Sequence, residues 1–365
     1  MLIRNLVALS SLALLAACGG APQSEATADS ALTATSTEDC RAGRGPVEVM
    51  TRNLYLGAAL DDVIAAGSLP AFLTATTRVW NQVVANDFHA RAELIADEIA
   101  MNRPDAVGLQ EAYLWRSQTP SDPTTSATHV EYDYIADLLA ALQARGTPYE
   151  VAESIELFDF EAPTLLGIDV RMTDRQAILV RKGSTFGNAR GATYSVLLPV
   201  QVLGTTVLVK RGWTAIDLKV GGEWLALFNT HTESFYAPVR VAQGMELAAI
   251  LDATPGKAIL VGDLNSLPGT EAAASVAGKG FTDSWADVHP KQPGFSCCFP
   301  ESLAETTPGL DQRIDYVFVR GLKPLTAKIV GAHLLAHRTG LWPSDHAGLV
   351  ATAKPEKGMW AHADE

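Results

Sequence analysis

The chain has 365 residues, 47% of them hydrophobic and 19% charged, an ordinary globular composition with enough material for a large core. Its formal net charge is −13. That balance excludes a protein that spreads along a nucleic-acid backbone by bulk charge, and leaves a local basic patch open.

In chain order, the first segment is "MLIRNLVALSSLALLAAC". One early cation, Arg4, precedes an apolar run too short to span a bilayer, the pattern of a signal-peptide core. The run ends in Leu15-Ala16-Ala17-Cys18, which resembles a bacterial lipoprotein box. That resemblance implies removal of residues 1–17, a lipid on Cys18 and a membrane partner through that anchor. Removal takes Arg4 and no acidic residue, so the mature chain is one unit more negative. Gly19 stands where an Asp would mark inner-membrane retention, so the same resemblance favours the outer membrane for an exported, anchored protein. Residues 18–45 are rich in Ala, Ser, Thr and Gly without hydrophobic periodicity and read as a flexible tether.

Residues 46–353 read as one large domain, and 354–365 as a tail. "VEVMTRNLYLG" starts as a strand. "AALDDVIAAGSLPAFLTATTRVWNQVVAND" reads as a helical pair. "HARAELIADEIAMNRPDAVGLQE" reads as a helix, a turn at Arg103-Pro104-Asp105 and a buried strand. The polar excursion "WRSQTPSDPTTSATHVEYD" follows, in which Trp115 and Arg116 either line a site or belong to an exposed loop. "YDYIADLLAALQARG" has helical spacing and stops at Gly146. "RQAILVRKG", "GWTAIDLKVGGEWLALFNTH", "KAILVGDLN" and "QRIDYVFVRG" are strand-like, with a hairpin turn at Gly221-Gly222. "PVRVAQGMELAAILDAT" is a helix between two of them. Strands interrupted regularly by helices predict an α/β (α+β) fold of sheets covered by helices.

Four cysteines are present. With Cys18 lipidated, an oxidising compartment permits a bridge from Cys40 to one of Cys297 and Cys298, and a Cys297–Cys298 bridge is the alternative. No Cys-x-x-Cys spacing supports a metal site.

Polar residues fall at the ends of the apolar runs: Asn53, Glu111, Asn229 with His231, Asp263 with Asn265, Asp315, and Asp345 with His346. Strand ends can converge on one rim above a rigid floor. Oxygen donors predominate, which suits a hard cation such as Mg²⁺, with Mn²⁺ as a substitute, better than zinc; no His-Glu-x-x-His occurs. Such a cation commonly serves phosphoryl groups, and histidines beside carboxylates suit acid–base or charge-stabilising work. Taken singly, each piece has a bland reading as a turn, a cap or a satisfied polar group. Asp345 and His346 are neighbours and could not face one site from a regular strand, so Pro343-Ser344 is expected to hold them in a loop before the strand "AGLVATA".

The ordered set "RNL" (52–54), "GLQE" (108–111), "FNTH" (228–231), "GDLNS" (262–266), "RIDYVFV" (313–319) and "SDHAG" (344–348) resembles the endonuclease/exonuclease/phosphatase superfamily, the DNase I-like fold. The resemblance covers nearly the whole domain. It implies a four-layer sandwich, two mixed β-sheets packed face to face with helices outside, and a site at one end of the sheets. It also implies roles. Glu111 is the principal Mg²⁺ ligand, helped by Asn53, and Asp345 is a metal or second-metal ligand. Asp263 positions or deprotonates the attacking water. Asn265 holds a phosphate oxygen, and His231 contacts the phosphate or the leaving group. His346 stands beside the phosphorus, oriented by Asp315. Arg175, in "DRQAILVR", is a candidate phosphate contact, with a surface or strand-end arginine as the other reading.

The expectation is an exported Mg²⁺-dependent phosphodiesterase acting on a phosphoester: a lipid head group, a small phosphoester or a nucleic acid. A secreted-type endonuclease is the alternative, and a non-catalytic binding protein on the same fold the further one. No protein partner is implied.

Overall fold

The structure is a computed structural model, and it describes residues 45–304, 309–332 and 339–356. The expected signal segment, Cys18, the expected tether through residue 44, Cys40 and the tail from 357 lie outside the described residues.

β1 (Val47–Asn53) leads into α1 (Asp61–Ile64) and α2 (Leu69–Ala85), the expected helical pair. α2 starts at Ser68, whose hydroxyl accepts from Ala71 N–H, with proline in its first turn. α3 (Phe88–Asn102) follows, and its C-cap Arg103 takes a left-handed conformation just before Pro104 and β2 (Ala106–Gln110). The polar excursion after Glu111 becomes a hairpin, β3 (Leu114–Gln118) and β4 (His129–Asp133), and α4 (Tyr134–Ala144) follows at once. Next come two long strands, β5 (Tyr149–Pro163) and β6 (Asp169–Arg181), then β7 (Thr185–Thr193) and a short hairpin, β8 (Leu198–Val202) and β9 (Thr205–Val209). β10 (Gly212–Val220), β11 (Glu223–His231), α5 (Ala237–Asp252) and β12 (Ala258–Asp263) match the sequence reading closely. The remaining elements are α6 (Glu271–Ala277), β13 (Thr282–Asp283), α7 (Ser284–Val288), β14 (Asp315–Arg320), β15 (Leu322–Val330) and β16 (Gly348–Pro355). β16 runs to Pro355, two residues past the expected domain end, because Lys354 and Pro355 pair with Lys323 and Leu322.

Two sheets form. One has the order β15-β16-β1-β2-β6-β3-β4, with β5 also paired to β6; the other has the order β13-β14-β12-β11-β10-β7. Both mix parallel and antiparallel pairs. Period-2 alternation decides what each face buries. Val47 and Val49 of β1 pack with Leu225 and Leu227 of β11 and with Ile259 and Val261 of β12, so the inner faces of the two sheets share one core. Met50, on the opposite face of β1, joins α2, α3 and α4 in a second core. Phe228 and Leu260, on the outer face of the other sheet, pack against α5 and α6 in a third. The result is the helix–sheet–sheet–helix sandwich expected from the sequence.

The pairing also fixes where the strands end. β1 and β2 run parallel and finish together, with Asn53 opposite Gln110. β11 and β12 run parallel, with His231 opposite Asp263. β14 runs against β12 and begins at that same level, with Asp315 opposite Asp263. β16 runs against β1, and the loop before it meets the same rim.

Candidate active site

Asp263 is the centre of the rim and is buried. Its Oδ1 accepts from Asn265 N–H at 2.8 Å and its Oδ2 from Asn53 Nδ2 at 3.1 Å. His231 Nε2 lies 3.5 Å and His346 Nε2 3.8 Å from the same Oδ2. Burial, then the charge of Asp315, pushes the Asp263 carboxyl up to about 7 against the pull of His346.

The two histidines are held in opposite states. His346 Nδ1 contacts Asp315 Oδ2 at 2.8 Å. Burial disfavours its charged form, but Asp315, Asp345 and Asp263 together outweigh burial and keep the imidazolium well above the ordinary histidine range. His231 is pushed well below that range by burial, by Arg211 and by His346. Arg211 Nη1 lies 3.1 Å from His231 Nδ1, and a guanidinium can only donate, so Nδ1 accepts and the ring proton sits on Nε2, facing Asp263.

Glu111 leaves β2 with φ 53°, a left-handed conformation uncommon outside glycine. Its Oε2 accepts from Leu56 N–H at 2.7 Å and its Oε1 faces Asn53 Nδ2 at 3.4 Å. Tyr55 (φ 59°) and Asn265 (φ 45°) share that unusual backbone region, so three segments bordering the site carry local strain. Asn265 Nδ2 donates to Thr232 O at 3.0 Å, which leaves its second amide hydrogen free to point elsewhere. Asp345 and His346 do lie in a loop before β16, and Ser344 pins that loop by donating to Asn53 O at 2.8 Å. Burial, and the nearby charge of Glu111, push Asp345 up to about 6 against His346.

Asn53 points its NH₂ at Glu111 and Asp263, while its carbonyl oxygen accepts from Tyr55 N–H at 2.9 Å, so its amide orients both carboxylates. Two expectations change. Arg175 faces away from the phosphate end: it donates to Ala112 O, Tyr113 O and Asp133 Oδ1 and props the chain just after Glu111. Its neighbour Asp174 is the residue that faces the site, paired with Arg211 at 3.3 Å, and burial pushes it up to about 7. The alternation of β6 is the signal that could have separated the two. Asn229 of "FNTH" does not reach the rim either. It clasps the two sheets, donating to Leu109 O and Ala177 O and accepting from Gln110 Nε2 at 2.6 Å.

Trp115 is buried with its Nε1 on Leu56 O, and Arg116 pairs with Asp159, so neither lines the site. Cys297 and Cys298 are joined to each other, the alternative of the two pairings. They sit at the site, because Cys297 bridges to the His346 backbone.

The donor chemistry fits a divalent cation. Four carboxylates, Glu111, Asp263, Asp315 and Asp345, crowd one rim, and two of them are raised partly by another's charge. Asp315 Oδ1 is buried without a hydrogen-bond partner. Asp263, Asp315 and His346 also approach within 4.8 Å of one another, but a protonated His346 has no lone pair to offer, which leaves the carboxylates as the donors. Oxygen-rich sets of this kind suit Mg²⁺ or Mn²⁺.

Facing mixed sheets with acid, amide and imidazole groups gathered at one end define the class of phosphate-ester hydrolases built on the DNase I-like sandwich. The model of the Endonuclease/Exonuclease/phosphatase family matches residues 79–346, and the chain belongs to that family. Among solved structures it is similar to an endonuclease/exonuclease/phosphatase family protein from Bacteroides thetaiotaomicron, with 17% identity over 86% of this chain and 99% of that one and a TM-score of 0.53. It is likewise similar to a mannosyl-6-phosphatase of Bacteroides thetaiotaomicron, with 17% identity over 84% and 99% of the two chains and a TM-score of 0.53. A D. rerio TDP2 complexed with single-strand DNA product is 18% identical over 85% and 99%, with a TM-score of 0.50. These likenesses are of fold. A comparison with curated protein sequences gave no match.

Proposed function

We propose that the protein is a Mg²⁺-dependent phosphodiesterase, exported and held at a bacterial membrane, the outer membrane by preference, through a lipid on Cys18. The observation that carries the catalytic reading is the convergence on Asp263 of a neutral His231, a protonated His346 and two amide donors, with Glu111 and Asp345 beside them. Glu111 and Asp345 would hold the cation. When bound, Mg²⁺ supplies positive charge to the phosphoryl oxygens.

The chain's own groups supply the rest. Asp263 Oδ2 is the base: a water set beside it gives up a proton to the carboxylate as its oxygen attacks phosphorus and the P–O bond to the leaving alcohol breaks. The His346 imidazolium, fixed by Asp315, stabilises charge that grows on the non-bridging oxygens. The free amide hydrogen of Asn265 aims a second donor at a phosphate oxygen. His231 keeps its Nε2–H towards Asp263 because Arg211 occupies its other nitrogen. The leaving alkoxide takes its proton from the imidazolium or from solvent.

A panel of bis(p-nitrophenyl) phosphate, DNA, RNA, sphingomyelin and inositol phosphates, with Mg²⁺, Mn²⁺ and EDTA, tests the reaction. Absence of metal-dependent turnover on all of them would sink it. Glu111→Gln and His346→Gln should each lose most of the rate while staying folded. Anchoring is tested by labelling expressing bacteria with a tagged fatty acid: label on the wild type and none on Cys18→Ser is expected, and equal label on both removes the anchor.

A further inference from the structure

The rim opens into a cavity of about 470 Å³, inside the roughly 300–1,000 Å³ range of small-molecule sites. One end of it holds Glu111, Asp263, Asn265 and His346; the other end is apolar. The change of character is written into β5 and β6. Opposite residues of an antiparallel pair share a face. Phe158 stands opposite Asp174, near the reacting end, and Phe160 stands opposite Met172, one step further out. The two phenylalanines stack with centroids 6.1 Å apart, and all four residues line the cavity.

The far wall is the β8–β9 hairpin, which belongs to neither large sheet. Leu203 (φ 48°) and Gly204 (φ 80°) make its two-residue turn, both with positive φ as a type I′ turn needs. The register pairs Leu198 with Val209 and Val200 with Val207, so Val200, Val202, Val207 and Val209 share one face. That face lines the cavity; Pro199, Gln201 and Leu208 point to solvent. A lone two-stranded hairpin is marginal in water, so this one depends on what its valine face covers. Val202, like Leu56, Leu60 and the two phenylalanines, packs against the edge of the helical core.

Charge points the same way. Arg211 is the cavity's only lysine or arginine among the described residues, and it is engaged with Asp174. Six carboxylates line the same space. A polynucleotide brings several phosphates and asks for cations along its path; this cavity offers one polar end, where Glu111 and Asp345 would hold a cation for a single phosphate, and a hydrocarbon wall along β5 and the hairpin.

We infer that the β8–β9 hairpin, β5, and Val63 and Ile64 of α1 form a subsite for an apolar substituent, and that the natural substrate is a phosphodiester of an apolar alcohol, one phosphate attached to an alkyl or aryl group. The inference rests on the phosphodiesterase reading for its phosphate end and adds the identity of the group attached to it.

The test is a series of 4-nitrophenyl phosphodiesters carrying methyl, butyl or octyl groups, with the full chain and Mg²⁺, so that charge and leaving group stay constant. Burial of each methylene should raise kcat/KM about fourfold while the chain remains enclosed, so the octyl ester should exceed the methyl ester by at least about 50-fold. Val207→Asp should cut that octyl-to-methyl ratio to below about five; Phe160→Ser, at the opposite wall, does the same if the hairpin variant fails to fold. A flat series overturns the subsite, as does a single-stranded oligonucleotide cleaved with higher kcat/KM than the octyl ester. If no ester turns over with any metal, the phosphodiesterase reading fails, and calorimetry still decides the subsite: octylphosphonate binding at least tenfold tighter than methylphosphonate supports it, and equal binding overturns it.

Discussion

His346 Nδ1 lies 2.8 Å from Asp315 Oδ2, and the two residues belong to strand ends in different sheets: Asp315 opens β14, and His346 sits in the loop before β16. The contact ties the two layers at the rim and fixes both the orientation and the charge of the imidazole. Because neighbouring carboxylates hold its folded pKa above the ordinary value, the stability it contributes is complete below about pH 6.5 and is lost as pH rises through the raised folded value. The imidazolium should therefore persist through neutral pH, and the alkaline limb of kcat/KM should not fall at an ordinary histidine pKa. Asp315→Asn removes the largest partner charge. Its alkaline limb should move down towards pH 6.5, with a rate loss on the order of 10²-fold or more. A pH–rate profile unchanged in Asp315→Asn would show that His346 is not the group that titrates.

Arg211 and Asp174 form a buried pair behind His231. Removing one member of such a pair leaves an uncompensated charge, at a cost of about 3–5 kcal/mol. Arg211→Met should thus lower the denaturant midpoint sharply, and Arg211→Met with Asp174→Leu should recover much of the loss. The single variant also has a pH signature. Asp174 already sits near 7, and loss of Arg211 raises it further. A raised carboxyl contributes stability that is present at low pH and lost as pH rises through its folded value. Arg211→Met should therefore be less destabilised at pH 6 than at pH 8. The opposite order in urea titrations would mean that Asp174 is not the stranded group.

The fold and most of the rim were legible because period and punctuation agree along the chain. β1, β2, β11 and β12 are buried runs that end at polar residues, β14 and β16 are runs that begin at them, and parallel and antiparallel pairing brings those positions to one level. Less legible was the segment from Tyr149 to Val209. β5 mixes exposed and half-buried positions with two register shifts, and β8–β9 is a short added hairpin, so neither carries a strong alternation signal. The site residues missed, Asp174 and Arg211, come from that same stretch or its edge. A buried acid–base pair separated along the sequence is visible only once strands are in register. Arg175 and Asn53 were legible as residues near the site, but their directions were not: one depends on which face of β6 points inward, the other on which end of an amide Tyr55 N–H claims.

Arg175 offers a direct discrimination between its two roles. Its guanidinium holds the carbonyls of Ala112 and Tyr113, the residues that follow the strained Glu111, and is anchored by Asp133 at 2.6 Å. Arg175→Leu should loosen that turn and raise the Mg²⁺ concentration needed for half-maximal activity, roughly 10-fold or more, as loss of groups that orient metal ligands does. At saturating Mg²⁺, KM for the phosphodiester should stay near wild type. A raised KM at saturating metal with unchanged metal dependence would restore the phosphate-contact role.

Gly108 of "GLQE" and Asn229 of "FNTH" meet between the sheets, on the strands that lead to Glu111 and His231. A methyl group at position 108 would lie 2.3 Å from Val261 Cγ2 and 2.7 Å from Asn229 Oδ1. Both are buried and packed, so the neighbours cannot swing away into solvent. The amide of Asn229 also carries the cross-sheet bonds to Leu109 O and Ala177 O, which a shift would lengthen. Overpacking of this kind costs about 1–3 kcal/mol before any hydrogen bond is lost, and each weakened buried bond adds about 1 kcal/mol more. Gly108→Ala should therefore lower the denaturant midpoint by an amount equivalent to about 3 kcal/mol. It should also depress kcat disproportionately in the fraction that remains folded, because the two rims are pushed apart. Val261→Ala paired with Gly108→Ala removes the tighter of the two clashes, so the double variant should lose less stability than the sum of the singles. Strict additivity in equilibrium unfolding would show that the sheets do not meet at this point.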